Sequence, residues 1–590
     1  MKNFFAILFV LLMALNFTSC RVKDGKEYEY VMNLENRDKD GCLYDFRFNK
    51  RDKTAAVVAC LDKKVRKIRV PSKVIYEGET YVVTSIGRLA FKDCDKLTSV
   101  SIPGSVKRIF DYAFSSCKGI ASIHLSDGVE EIGLRAFGDA INLKSIYIPK
   151  SVKSISYSFP NTDKLKAFVV AEENEWYSSD DGVLFNKSKT ELIDYPNGKT
   201  GLYIIPKSII TISGEAFAYC QKLDSVCMPL ELKNIGPLAF LSCGNLSSVT
   251  IPEGIISIEQ MAFCGCEKLT FVKLPNSLKS IGEEAFADCT NLERIFIPMK
   301  VNEIEVDAFA RCANFKEYIV SDDNESYSSI DGLLLNKSET VLLDCPWGKK
   351  VCNVPSSVEQ ITFFYAWSYT FAALDSYNVS DENNYYTSVD GVLFDKLKTK
   401  IINYPEGRKG TYNIPEYVDT IAENAFYWSR LSSVSIPASV KTIEKNAFYH
   451  CEELRTITVS EDNEYYCSVD GVLYDKGKKK MLKCPENKKD RLELPESEES
   501  IDFTNGESCL EHMVIPQNVR EFGDFYYRCD SLKSVTFKAT QMTKELESVL
   551  KCLNKRITVY VPQGSVELYK SVAQKIRGKS DLVIKPIEED

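Results

Sequence analysis

The sequence predicts a repeat solenoid of short parallel strands stacked at a period of about 23 residues, although 590 residues would ordinarily allow three or four globular domains. Two markers carry this prediction, because an Ala-Phe pair and an apolar-Pro pair each recur with a step of 23 within a run. The Ala-Phe pairs begin at Ala90, Ala113, Ala136, Ala216, Ala239, Ala262, Ala285 and Ala308, and the prolines are Pro206, Pro229, Pro252, Pro275 and Pro298.

The composition fits a folded chain with a large core, since 44% of the residues are hydrophobic and 27% are charged. A formal net charge of −9 argues against a partner bound through a phosphate backbone, so we expect no nucleic acid ligand.

The first twenty residues have the pattern of an export signal. Met1-Lys2-Asn3 is a short positive start, and the apolar run from Phe4 to Leu15 is too short to span a membrane. Small residues precede Cys20, as in a bacterial lipoprotein signal, so we predict a signal peptide over residues 1–19, lipid attachment at Cys20 and a tether over residues 20–29. An ordinary signal peptide cut near Ser19 is the alternative. The expected location is the bacterial outer membrane or cell surface, lipid-anchored.

One unit illustrates how each coil is expected to fold. Val226 and Met228 alternate with polar residues, as in a short strand with one buried face, and Pro229 ends the strand because proline cannot donate to a ladder. Ala216-Phe217 is expected in a short helix or tight turn facing the same core. No unit buries its apolar face alone, so neighbouring units must stack.

Four inserts interrupt the repeat. Each contains an Asp-Gly turn followed by an apolar run, and the Gly-to-Pro spacing is 14 in all four, which predicts β-hairpins that rejoin the solenoid. The inserts are expected near residues 171–206, 321–355, 380–415 and 460–495.

The phrase Ile-x3-Ala-Phe-x2-Cys-x2-Leu-x2-Val-x-Ile-Pro resembles the BspA-type leucine-rich repeat of bacterial surface proteins, and the Asp-Gly-Val-Leu hairpin is similar to an insert in variants of that family. The resemblance implies an N-terminal cap over residues 30–80, a leucine-rich-repeat-like solenoid over 81–540 and a C-terminal cap over 541–590. It also implies a surface lipoprotein that contacts host proteins, other cells or extracellular polymers.

The cysteines follow the repeat. Nine of them lie three residues after the phenylalanine or its counterpart: Cys94, Cys117, Cys220, Cys243, Cys266, Cys289, Cys312, Cys451 and Cys529. Such a ladder favours reduced core thiols, because Ala140 and Ser429 replace cysteine at the same offset with no partner adjusting. A disulfide framework is the alternative for an exported chain, with Cys467 and Cys484 the best candidates for a bridge.

No catalytic pattern is present in the sequence. His124, His450 and His512 lie far apart and outside any nucleophile motif, so we expect no enzyme activity, no catalytic residues and no cofactor. No cysteine or histidine spacing predicts a metal site. Acidic bends before the inserts suggest calcium, but they lack the spacing of a calcium loop, and solvated turns are the default: Glu172-Glu173-Asn174, Asp322-Asp323-Asn324, Asp381-Glu382-Asn383 and Glu461-Asp462-Asn463.

Aromatic residues in the inserts are the candidate ligand-binding residues: Trp176, Tyr177, Tyr327, Tyr385, Tyr386, Tyr465 and Tyr466. They form either a contact platform or the packing of each hairpin onto the solenoid.

The sequence therefore predicts a non-enzymatic, monomeric surface adhesion or recognition protein. Its partner would be an extracellular or host macromolecule, a protein rather than a glycan, and it would meet the membrane through its lipid anchor only. A surface glycan-binding or glycan-processing component is the alternative.

Overall fold

The computed structural model describes residues 29–31, 44–305, 307–362, 374–489, 491–501, 510–519, 521–522, 531–553, 557–576 and 582–587. The signal peptide over residues 1–19, Cys20 and most of the tether lie outside these residues. Within the described ranges, no helix is both long and apolar enough to cross a membrane. The chain forms two compact units, residues 1–199 with 216–220 and residues 200–215 with 221–590, and each is described by itself.

The parallel stacking predicted for the repeat is confirmed in both units. A coil begins with a long strand, turns after the proline, continues through a two-residue short strand and closes with two tight turns at the Ala-Phe pair. In the first unit, Ser145–Ile148 pairs in parallel with Ala167–Val170, and in the second unit Arg294–Ile297 pairs in the same way with Glu317–Val320. Residues of neighbouring strands align about one period apart, so each coil extends the same sheet.

The first unit opens with the strands Glu29–Val31, Tyr44–Asn49, Thr54–Cys60, Lys73–Tyr76 and Glu79–Ile86. Its long strands are Lys67–Arg69, Ser99–Ile102, Ser122–Leu125, Ser145–Ile148 and Ala167–Val170, and its short strands are Arg108–Ile109, Glu131–Ile132 and Ser154–Ile155.

The second unit repeats the same two strand types. Its long strands are Gly201–Ile204, Leu223–Cys227, Ser248–Thr250, Phe271–Lys273, Arg294–Ile297, Glu317–Val320, Val351–Val354, Ser376–Val379, Lys409–Asn413, Arg430–Ile436, Thr456–Val459, Arg491–Glu493, His512–Ile515, Ser534–Phe537, Thr558–Val561 and Val583–Pro586. Its short strands are Thr211–Ile212, Asn234–Ile235, Ser257–Ile258, Ser280–Ile281, Glu303–Ile304, Gln360–Ile361, Thr420–Ile421, Thr442–Ile443, Ser500–Ile501 and Glu521–Phe522.

Each insert contains an antiparallel hairpin and a third strand. The first unit has Tyr177–Asp180, Val183–Asn186 and Glu191–Asp194. The second has Tyr327–Ile330, Leu333–Asn336 and Val341–Asp344, then Tyr386–Val389, Val392–Asp395 and Lys400–Asn403, then Tyr466–Val469, Val472–Asp475 and Met481–Lys483. Two α-helices, Lys544–Cys552 and Val566–Lys575, and the 3-10 helix Gln563–Ser565 lie near the C-terminus.

The Ala-Phe pair forms tight turns rather than a helix. The N–H of Phe91 donates to the carbonyl of Ala113 in the next coil at 2.7 Å. Leu89 and Asp93, which flank the pair, have φ of 62° each, the left-handed conformation that closes a tight turn. Successive rings then stack, with centroids of Phe91 and Phe114 4.6 Å apart and planes parallel.

The cysteine ladder has a hydrogen-bonding role that the sequence did not reveal. The thiol of Cys117 donates to the carbonyl of Phe91 one coil earlier, with 3.0 Å between Sγ and O. In the second unit, the thiols of Cys266, Cys289, Cys312 and Cys451 donate in the same way to the carbonyls of Phe240, Phe263, Phe286 and Phe426. The Phe91 carbonyl also accepts the N–H of Cys94 at 3.3 Å, so the thiol is a second donor to a carbonyl inside an apolar core.

The ladder cysteines that the structure describes are buried thiols without a disulfide bond, and Cys529 lies outside the described residues. Cys467 and Cys484 are thiols as well, so the bridge considered for this pair is not formed. The Cys467 thiol instead donates to the carbonyl of Asp475, at 3.2 Å.

Candidate functional site

A buried asparagine anchors every insert to the coil before it. In the first insert, Nδ2 of Asn174 donates to the carbonyls of Pro149 and Val152, both at 2.9 Å, while its Oδ1 accepts the N–H groups of Trp176 and Tyr177. Asn324, Asn383 and Asn463 make the same four hydrogen bonds.

The asparagine of each acidic bend considered for calcium is this anchor residue. Its amide oxygen already accepts hydrogen bonds from two backbone N–H groups. Among the described residues, no group of three or more His, Cys, Asp or Glu side chains is placed to hold a metal ion.

Two further contacts recur in every hairpin. A lysine ammonium donates to the carbonyl of the acidic bend: Lys187 to Glu172, Lys337 to Asp322, Lys396 to Asp381 and Lys476 to Glu461. A serine hydroxyl accepts the N–H that ends the preceding long strand, as Ser179 Oγ does from Val170 at 3.1 Å. The inserts are therefore held at both edges and present their exposed side chains in a fixed orientation.

The second aromatic residue of each insert packs the hairpin onto its coil. Tyr177 is half-buried, and its Oη accepts the N–H of Ile155 at 3.0 Å. Tyr327 and Tyr466 accept the N–H groups of Ile304 and Ile443 at 3.1 Å each, and Tyr386 packs against the core of its own coil. Burial raises the pKa of the Tyr177 hydroxyl, which keeps the group neutral at this position.

The first aromatic residue of the pair points outward. Trp176, Tyr385 and Tyr465 are exposed by 39%, 48% and 47%. The second insert has Ser326 at this position. The ammonium of Lys153 lies 5.7 Å from the centroid of the Trp176 ring, within cation–π range. Of the seven residues predicted from sequence, these three are therefore available to a ligand.

A second exposed surface lies on the outward face of the long strands in the second unit. Val272 and Ile295 face the core, whereas the alternate residues Phe271 and Phe296 are exposed by 55% and 47%. Phe296 lies beside Ile319 of the next strand. These residues line a groove of about 470 Å³, together with Thr270, Asn291 and Arg294.

Sequence reasoning missed this groove, although one signal was available. Phe271 aligns across the ladder with Ser248, and Phe296 follows Thr250 and Lys273 at the same place in earlier coils. A phenylalanine at a position that is polar in the preceding coils has no core to fill.

The outward face of the first unit carries a similar exposed pair at the strand positions of Phe296 and Ile319. Tyr147 and Val169 are exposed and lie side by side. Near the N-terminal strands, a groove of about 370 Å³ is lined by charged residues. The Arg108 guanidinium and the Glu131 carboxylate in this groove are already paired at 2.6 Å.

The three histidines lie in different coils. His124 is on the outward side of its strand and exposed. His450 stacks on the Trp428 ring with centroids 4.3 Å apart, and Nδ1 of His512 lies 2.8 Å from the Ser534 hydroxyl. The structure does not bring them together.

Comparison with known proteins supports the architecture. A family model described as BspA type leucine rich repeat region matches residues 84–204, 195–316, 368–469 and 484–572, which is more than half of the chain. No protein with a curated description matches.

Solved structures of bacterial leucine-rich repeat proteins also align with this chain. One from Eubacterium ventriosum is 17% identical, with a TM-score of 0.39, over 62% of this chain and 100% of its own. A leucine rich cell surface protein from Faecalibacterium prausnitzii is 21% identical, with a TM-score of 0.19, over 94% and 95%. The pneumococcal vaccine antigen PcpA is 16% identical, with a TM-score of 0.23, over 95% and 100%.

The Ala-Phe turns, the thiol ladder and most of the repeated coils lie within the residues that the family model matches, and this match assigns the family. The chain belongs to the BspA-type leucine-rich repeat family.

Proposed function

We propose that this protein is a non-enzymatic, monomeric cell-surface recognition protein that binds an extracellular or host macromolecule. The observation that carries the proposal is the pair of exposed phenylalanines, Phe271 and Phe296, in a groove on the outward strand face. Contiguous apolar patches on soluble surfaces mark interaction sites, and aromatic residues are enriched where proteins meet. A protein partner is favoured over a glycan because Phe271, Phe296 and Ile319 give this groove an apolar lining.

The proposal includes export and lipid anchoring at Cys20. The pattern of residues 1–20 supports it, and a lipid anchor would hold the solenoid at the outer membrane or cell surface. The test is mass spectrometry of the mature N-terminus from the native host, with C20A as the variant. A mature chain that begins before residue 20, or one without acyl groups, would contradict the anchor.

The binding test uses the chain from residue 21 to 590, immobilised and screened against extracellular matrix proteins and glycans. F271S and F296S give these sites a small polar side chain, such as Ser248 in the preceding coil. L230S is the matched control, because Leu230 is 77% exposed but lies in a turn outside the strand face. We expect the two phenylalanine variants to weaken binding at least tenfold and L230S to leave it unchanged. Equal binding by all three variants would refute the strand face as the site.

Glycan binding is the second candidate, and the exposed Trp176, Tyr385 and Tyr465 favour it. Flat rings fixed on braced hairpins can stack against sugar faces. W176S, Y385S and Y465S imitate the second insert, which has Ser326. Loss of glycan binding in these variants, with Phe271 and Phe296 intact, would favour this alternative over a protein partner.

A further inference from the structure

A carboxyl group lies in the core of the second unit at a position that is apolar in other coils. The residue three places after the coil proline is Ile209, Val358, Val418 or Val440 elsewhere in this unit, and each is buried. After Pro495 the same position is Glu498, whose side chain has no exposed surface.

Glu498 is only partly satisfied there. Its Oε1 accepts the N–H of Met481 at 2.8 Å, while its Oε2 is buried and has no hydrogen-bond partner among the described residues. The Oη of Tyr474 is also buried without a partner in this part of the chain. Tyr474 stands where the second and third inserts have Leu335 and Phe394. The fourth insert therefore meets the next segment through two polar groups, where these inserts use hydrocarbon.

The charged groups around the contact between the fourth insert and residues 491–501 do not neutralise the Glu498 carboxylate. Asp475, at the hairpin turn, carries the same sign as ionised Glu498. Among the nearby cations, Lys479 pairs with Glu499 at 3.0 Å and Lys483 with Glu486 at 2.9 Å, while Lys478 and Lys480 are exposed to solvent. Burial raises the pKa of Glu498 to about 7 against the opposing effect of the Met481 N–H, and repulsion from Asp475 adds a smaller rise.

We propose that Glu498 makes the seam between the fourth insert (residues 466–483) and the segment 491–501 a pH-sensitive latch, closed while its carboxyl is protonated and opening more often once it is ionised. The proposal is independent of the ligand-binding function above. An ionised carboxylate with one unpartnered buried oxygen is stabilised by leaving the core, whereas a neutral carboxyl is tolerated beside the Tyr474 hydroxyl.

The direction of the effect follows from proton binding. The closed seam holds its proton up to a pKa of about 7, and the open seam releases it near 4.5, so the closed form binds more protons and loses stability as the pH rises between these values. The loss levels off above the higher pKa. With these two values, opening is about tenfold more favourable at pH 8 than at pH 6.

The test is hydrogen exchange of the purified chain at pH 6 and pH 8, corrected for the intrinsic effect of pH on exchange, with peptides covering residues 472–501. We expect about tenfold less protection at pH 8, centred on the amide of Met481. The seam of the third insert, residues 392–421, is the internal control, because Val418 occupies the equivalent position and predicts no change.

Two variants separate ionisation from packing. E498Q keeps an oxygen acceptor for Met481 but cannot ionise, and E498V restores the residue type of the third insert. Both should abolish the difference between pH 6 and pH 8, and E498V should also raise protection at pH 8. Y474F, which leaves the carboxyl in place, should retain the pH dependence.

Equal corrected protection of the wild-type seam at both pH values would overturn the proposal. A pH dependence that persists in E498Q would do the same. If E498V does not fold, the wild-type titration and E498Q still decide the question.

Discussion

Phe263 closes one coil of the second unit and Phe271 begins the next, and the structure uses them in opposite ways. Phe263 is fully buried, with its ring stacked between Phe240 and Phe286 at centroid distances of 5.0 and 5.4 Å. Phe271 is more than half exposed on the outward strand face. The comparison teaches that the place in the 23-residue period, rather than the residue type, decides whether an aromatic ring stabilises the fold or is available to a partner.

The same division separates the two aromatic residues of each insert. Tyr466 packs the hairpin down and accepts the N–H of Ile443, while its neighbour Tyr465 faces solvent. Residues adjacent in a strand point to opposite faces, so one member of a pair must face away from the core.

The largest expected effect tests the buried side of this comparison. F263A removes a ring from the interior stack and leaves a cavity, which should destabilise the second unit by about 3–5 kcal/mol. Urea denaturation followed by circular dichroism measures the loss. F271A is the control, since it removes the same type of ring from the outward face. Equal destabilisation by F263A and F271A would contradict the distinction between a buried, stabilising ring and an exposed one.

The next largest effect is expected from the buried asparagine that anchors each insert. N383A would leave the Val358 carbonyl and two backbone N–H groups without the Asn383 amide, and the Pro355 carbonyl with only the Val358 N–H, at a cost of about 2–4 kcal/mol. Limited proteolysis of the third insert should accelerate in parallel. Asn384, the next residue, is exposed, and N384A should change neither measurement. A stable N383A hairpin would show that the strands hold the insert without the asparagine.

A smaller effect is expected from the packed tyrosine. Y327F removes the oxygen that accepts the N–H of Ile304 but keeps the ring, so we expect a loss of about 1 kcal/mol in the free energy of unfolding. Y385F, at an outward position, should cost nothing measurable by the same denaturation assay. A larger loss of unfolding free energy in Y385F than in Y327F would contradict the assignment of Tyr327 to packing and Tyr385 to the exposed surface.

The smallest effect on stability belongs to the outward face. F271S should change the free energy of unfolding by less than about 0.5 kcal/mol, because the ring has few neighbours to lose. Binding of the extracellular partner, measured on the same preparation, should fall. Stability lost together with binding would mean that Phe271 supports the fold and is not a docking residue.

Much of the architecture could be predicted because the period is repeated. The stacked Ala-Phe pairs, the parallel strands and the hairpins at the Asp-Gly turns follow from spacing alone, since a coil with one apolar face must pack against another like it. The thiol state of the ladder was left open, because a buried cysteine and a bridged one have the same spacing. The structure adds a hydrogen bond from Cys289 to the carbonyl of Phe263, at 3.3 Å.

The candidate site was predictable only in part. Seven aromatic residues were candidates, and sequence could not separate Trp176, Tyr385 and Tyr465 from the packed tyrosines, because both kinds stand side by side in one motif. Asn174 appeared to belong to an acidic bend, and its four backbone partners come from two separate segments. Phe271 and Phe296 were passed over because each strand was read for its inward residues.

The sequence by itself determined the repeat, the family and the position of each insert, because these follow from residue spacings that recur along the chain. The tertiary structure decided which side chains remain accessible and which polar groups are left without partners, as at Glu498. Those properties depend on contacts between residues of different coils. The distances between these residues cannot be derived from one local stretch of sequence.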